Sequence, residues 1–150
     1  MKILVCTDGS EHSLKALEKA AMIGEGCNVE EVAIIYVHDG TADISLYSQE
    51  NLSSTQQVER VRKMIEQHEE ESKKVLPQAL KVFEGRNIKV RTIYEEGHPA
   101  HTIARVAEEE GFDMVVIGSR GLSGLKKMYL GSVSNAVMQE AKNSSVLVVR

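Results

Sequence analysis

Between residues 118 and 132 the chain reads Gly118-Ser119-Arg120-Gly121-Leu122-Ser123-Gly124-Leu125-Lys126-Lys127-Met128-Tyr129-Leu130-Gly131-Ser132. Glycines let the backbone take positive φ angles and come close to a ligand, and phosphate oxygens accept several N–H bonds from such a backbone. Gly131-Ser132-Val133-Ser134 then opens a helix. Its free N–H groups and positive dipole end form an anion site, to which Ser132 and Ser134 can add hydroxyl donors. Arg120, Lys126 and Lys127 place positive charge here in a chain whose net charge is -4. Together these features point to a polyphosphate. A plain glycine-rich connector would also contain a G-x-x-G, and Ser132 would cap its helix in either case. What distinguishes this segment is the strand before it, the helix after it, its three basic residues and an acidic turn expected opposite.

That acidic turn is Thr7-Asp8-Gly9-Ser10. A carboxylate at a strand end can accept from a ribose hydroxyl or an adenine amino group, or reach a phosphate-bound Mg²⁺; an Asp-Gly pair is also an ordinary turn former. The chain has no G-x-x-x-x-G-K-[ST] and no G-x-G-x-x-G after its first strand, which disfavours a Walker ATPase and a Rossmann dehydrogenase.

The elements that must position these residues alternate along the chain. Apolar runs at Lys2 to Thr7, Val29 to Val37, Ile88 to Tyr94, Asp113 to Ile117 and Val146 to Val149 read as strands. Helical spacing runs from Ser10 to about Ile23, with Ser10 as cap and Gly24 or Gly26 as stop. Further helices are expected from about Thr55 to Glu84, Pro99 to Glu109 and Ser132 to Lys142. Pro77 should kink or break the second of these, since it removes a donor and clashes one turn back. Asp39 to Ser54 is polar without a period and reads as a loop. Strands separated by helices imply right-handed crossovers: a three-layer α/β/α domain over residues 1–150 around a five-stranded parallel sheet. In order 3-2-1-4-5, the turns after strands one and four face each other across the crevice where ligands bind in such sheets.

Composition narrows the function classes. At 150 residues, 42% hydrophobic and 27% charged, the chain has the size and makeup of one globular domain. An acidic balance, 4% aromatics and no Trp argue against a nucleic-acid surface. The opening apolar run is too short for a signal-peptide core or a membrane span, so a cytoplasmic protein is expected. Cys6 and Cys27 have no CxxC context and read as structural thiols.

With these residues in view, the chain resembles the universal stress protein family, in its ATP-binding branch, along its whole length. The likeness rests on the Thr7-Asp8-Gly9-Ser10 turn, the Gly97-His98-Pro99 segment, Asp113 to Gly121 and the closing Ser145 to Val149. The branch's marker, G-x2-G-x9-G-[ST], is met by Gly118, Gly121, Gly131 and Ser132. The resemblance implies an adenine nucleotide alpha hydrolase-like fold and bound ATP with a divalent ion, Mg²⁺. It places Asp8 and Val37 at the adenosine part with Thr7 and Ile117 nearby, and Gly118, Arg120, Gly121, Gly131, Ser132, Val133 and Ser134 around the ribose and phosphates. Gly124 lies outside the marker and has no assigned role. The resemblance also implies a homodimer paired through the last strand, for which the apolar edge Val146 to Val149 gives an independent reason.

Hydrolysis needs a group that positions water and one that stabilises charge on the transferred phosphoryl. Arg120, Lys126 or Lys127 suit the second task, but only Asp8 or a serine is expected near the first. His98, at a helix start, reads as a turn or cap residue. The expectation is therefore a nucleotide-dependent regulatory module, with slow hydrolysis or autophosphorylation as an alternative. An adenylyl- or phosphotransferase-like enzyme, an AMP- or cAMP-binding module and a nucleotide-free dimeric scaffold would suit the same fold. The protein partner is not legible.

Overall fold

A computed structural model of the chain describes residues 1–39, 54–121 and 130–150. Its elements run β1 (Lys2–Cys6), α1 (Glu11–Gly26), β2 (Glu31–His38), α2 (Ser54–Lys81), β3 (Val90–Glu96), α3 (Pro99–Glu109), β4 (Met114–Gly118), α4 (Ser132–Glu140) and β5 (Ser145–Val149). The five strands are parallel in the order β3-β2-β1-β4-β5, the doubly wound topology expected.

The central strands are apolar on both faces because both faces are covered. Leu4, Ala33, Ile35, Val115 and Ile117 point to one side, against Ala100, Ile103, Val106 and Ala107 of α3 and Val137 of α4. Ile3, Val5, Val32, Ile34 and Val116 point to the other, against Ala16, Leu17, Ala20 and Ala21 of α1, Ala79 of α2 and Phe83 just past the end of α2. Each such large side chain, fully buried, contributes on the order of 2 kcal/mol.

Several local expectations shift. α1 begins as read, with Ser10 Oγ accepting from Ser13 N–H at 3.2 Å; it runs through Gly24 and ends on Gly26, one of the two stops expected, with Cys27 as cap, whose N–H reaches Ile23 O. Gly24 is needed for packing instead: a Cβ there would lie 2.7 Å from Ile88 Cδ1. β3 starts two residues later than read, its register putting Val90 beside Val32. Helix α2 passes through Pro77 unbroken. The missing N–H costs one helical bond, and Ala79 and Phe83, buried just beyond it, hold the helix on the sheet. Val58, an apolar residue near the start of this helix, is exposed.

Candidate functional site

The β1–β4 register sets Val5 opposite Val116. Thr7-Asp8 and Gly118-Ser119 therefore leave the sheet side by side, at the point where strand order reverses. The backbone secures both exits: Thr7 N–H donates to Ile35 O at 3.0 Å and Ser119 N–H to Val149 O at 2.7 Å.

Above these exits lies a cavity of about 600 Å³. Thr7, Asp8, Val37, Ile117, Gly118, Arg120, Gly121, Gly131, Ser132, Val133 and Ser134, the residues singled out from the sequence, all line it. So do Cys6, Ser13, Ile35, Asp39, Pro99 and Ile103, which were not singled out. Two of these had a signal in the pattern: Ile35 shares a strand face with Val37, and Ile103 follows Pro99 by one helical turn. The others depend on which helix covers which strand. Gly124, Lys126, Lys127 and residues 40–53 lie outside the described residues. His98 is the N-cap of α3, makes no side-chain cap bond and does not line the cavity.

The marker glycines line the cavity as expected but with a different backbone conformation. None has a positive φ; that conformation falls to Gly9, Gly85, Gly97 and Gly111. Each marker glycine instead admits another part of the protein. A Cβ on Gly118 would lie 2.7 Å from the backbone carbon of His12 in α1, and one on Gly121 would lie 2.6 Å from Asp8 Oδ2. One on Gly131 would be 3.3 Å from Ser119 O and 3.4 Å from Arg120 Cα. The Gly121 contact shows the two turns meeting across the crevice.

The cavity is chemically polarised. On the β1–α1 side, Asp8 Oδ1 accepts from Ser10 N–H at 3.0 Å, and its carboxylate offers acceptors only. Ser13 Oγ donates to Ser10 O at 2.8 Å. Its one proton being used, the 3.2 Å contact with Thr7 Oγ1 has Thr7 as donor, and Thr7 Oγ1 also accepts from Gly9 N–H at 3.3 Å. This side therefore offers lone pairs and a negative charge. On the β4–α4 side, Gly131 has no capping side chain, so the first-turn N–H groups of α4 are open to an anion. Arg120 Nε is buried with no hydrogen-bond partner among the described residues. A buried donor left unpaired costs about 1–3 kcal/mol.

Apolar walls from Ile35, Val37, Ile103 and Ile117 join the two poles. Cys6 adds a neutral thiol, since burial, with the Asp8 charge adding to it, pushes its pKa far up. Tyr36, beneath the Asp8 turn, is likewise raised, first by burial and then by the Glu71 and Asp8 charges. The residues present thus suit a ligand with hydrogen-bond donors at one end, a flat apolar middle and an anion at the other. Among the described residues no group of three or more His, Cys, Asp or Glu could hold a metal ion.

Fold and cavity together define a doubly wound α/β protein with a ligand site at the switch point of its sheet. The universal stress protein family model matches residues 1–150, and the chain belongs to that family. It is 35% identical over 150 residues to universal stress protein YxiE of Bacillus subtilis, covering 99% of this chain and 98% of that one. Among solved structures, protein MJ0577 of Methanocaldococcus jannaschii superposes with a TM-score of 0.73 at 32% identity, covering 99% of this chain and 94% of the other. UspA of Lactobacillus plantarum gives a TM-score of 0.82 at 21% identity, covering 100% and 97%. Two more distant members share the fold, with TM-scores of 0.63 and 0.66. One is a universal stress protein in complex with cAMP, the other the Archaeoglobus fulgidus protein in complex with dAMP.

Proposed function

We propose that the chain binds an adenine nucleotide in this cavity, ATP with Mg²⁺ carried on its phosphates, and acts as a nucleotide-dependent regulator in the cytoplasm. The observation that carries the reading is the polarity of the cavity: lone pairs and a carboxylate at Asp8, an uncapped helix N-terminus and the unpartnered Arg120 Nε opposite. A nucleoside supplies donors for the first pole and phosphates supply the anion for the second. Family members held with cAMP and dAMP support an adenine nucleotide. Triphosphate is favoured by the positive charge of Arg120, Lys126 and Lys127 in the marker segment.

Asp8 and Asp39 are the carboxylates among the described lining residues, and Asp8 Oδ1 is already bound to the Ser10 N–H. That supports a binding module over a fast enzyme. The bound ATP supplies a chargeable phosphate tail, and the chain's residues hold it, orient it and cover its base. Signalling through a homodimer is supported by β5, an edge strand on which Val146 to Val149 stay partly exposed on both faces.

The test is to denature purified protein and analyse the released nucleotide by ion-exchange chromatography and mass spectrometry, with calorimetric titration of ATP, AMP and cAMP alongside. Near-stoichiometric ATP, or tightest binding of ATP with Mg²⁺, is expected. AMP or cAMP binding tightest would move the reading to a monophosphate module, and no binding of any of them would remove it.

A further inference from the structure

We propose that Ser134 is a positioning residue: it latches the two ends of the marker segment together before any ligand arrives, and does not itself hold the phosphates. The inference rests on the nucleotide reading for its consequence, while its geometry is a property of the protein alone.

The carbonyl of Ser119 accepts twice, from Gly131 N–H at 2.7 Å and from Ser134 Oγ at 3.3 Å. Ser134 Oγ also donates to Gly131 O at 3.0 Å. A serine hydroxyl has one proton, and here two protein carbonyls share it, which leaves none for a phosphate oxygen. Ser134 and Ser119 are each only 2% exposed, so these hydrogen bonds are shielded from bulk solvent. Gly131 completes the closure, because a Cβ there would sit 3.3 Å from Ser119 O and 3.6 Å from Ser134 Oγ. The chain thus departs at Ser119 and returns at Gly131 pinned to one carbonyl, and Ser119 is itself tied to β5 through Val149 O.

The consequence is preorganisation. With the base of the segment closed, the amides of Ser132 and Val133 are held in place beside Arg120, and ligand binding need not order them. Ser132, exposed at the first position of α4, is the hydroxyl left to meet a ligand.

The experiment compares Ser134→Ala, Ser134→Thr and Ser132→Ala by two measurements. One is amide exchange at Gly131 in nucleotide-free protein, followed by NMR; the other is ATP affinity by calorimetry. Ser134→Ala is expected to speed Gly131 exchange about tenfold and weaken ATP about tenfold. Ser134→Thr keeps the hydroxyl and should return both to near wild type, which also covers the case in which the alanine variant folds poorly. Ser132→Ala should weaken ATP and leave Gly131 exchange unchanged. If Ser134→Ala weakens ATP with Gly131 exchange unaltered, Ser134 touches the ligand directly and the latch is wrong. If neither quantity moves, it is an ordinary helix serine and the latch is equally wrong. Should wild-type protein bind no ATP, the nucleotide reading fails, while Gly131 exchange still decides the latch.

Discussion

Arg91 and Arg120 stand at opposite ends of one sheet and are held in opposite ways. At the amino end, Arg91 pairs with Glu31 and Glu110, and Lys89 adds a second cation to Glu31 at 3.1 Å. Lys2 N–H donates to Asp113 Oδ2 at 2.6 Å, and Lys2 Nζ and the Arg91 guanidinium lie 4.9 and 5.7 Å from the centre of the Phe112 ring. At the carboxyl end, Arg120 reaches into the cavity wall with a buried Nε that no described residue satisfies. One end spends its charges on its own strands. The other keeps a donor, an open helix end and a carboxylate facing a common space. In a parallel sheet the carboxyl ends are where loops are free to differ, and this chain gathers its cavity-lining polar groups there.

The contrast can be broken at four places. The largest effect is expected from Gly118→Ala. The new Cβ meets His12 backbone, which cannot swing aside, so thermal unfolding should show about 3 kcal/mol of lost stability. Next comes Gly121→Val, whose clash is with the movable end of Asp8. It should cost about 100-fold in ATP affinity, about 2.7 kcal/mol by calorimetry, with the melting temperature little changed. Equal losses of fold and ligand would erase the distinction between these two glycines. Arg120→Met should weaken ATP about tenfold and leave stability equal or higher, because it removes an unpaired buried donor. A marked fall in stability would show that Arg120 belongs with Arg91.

The smallest effect is expected from Glu31→Gln. Its carboxyl is held below its ordinary value of 4.5, chiefly by the Arg91 hydrogen bond. A depressed carboxylate contributes stability that is fully present above the ordinary value and lost as pH falls through the folded one. Denaturant melts at pH 7 should therefore show a loss of about 1 kcal/mol, modest because Arg91 is 37% exposed and solvent screens the pair. The gap between wild type and variant should close below pH 4.5, with ATP binding unaffected throughout.

Much of the fold was legible because its signals are local. Ser10 caps α1 as its type and place require, and the doubly apolar strands announced a covered parallel sheet. Pro77 misled because the rule against proline inside a helix is local too, and it yields where side chains packed on the sheet, such as Leu76 before it and Ala79 after it, hold the helix in place. At the site, one of the two reasons for reading the marker glycines fails, since none of them has a positive φ. Their spacing reads as freedom of φ and access for phosphate, whereas Gly118, Gly121 and Gly131 are small so that α1, Asp8 and Ser119 can approach. Ser13 went unnoticed because nothing in its neighbours marks it as the acceptor of the Thr7 hydroxyl.

The alternation of strands and helices, the two turns able to bear chemistry and the family to which they belong are all written in residues near one another along the chain. The facing of the two turns was also expected, but only the folded chain shows that Asp8 fills the space beside Gly121, that α3 supplies Pro99 and Ile103 to the cavity, and that Ser134 closes on Ser119. Those contacts join segments that only the strand order brings together, and a side chain's role there depends on which donors and acceptors its distant neighbours have already used.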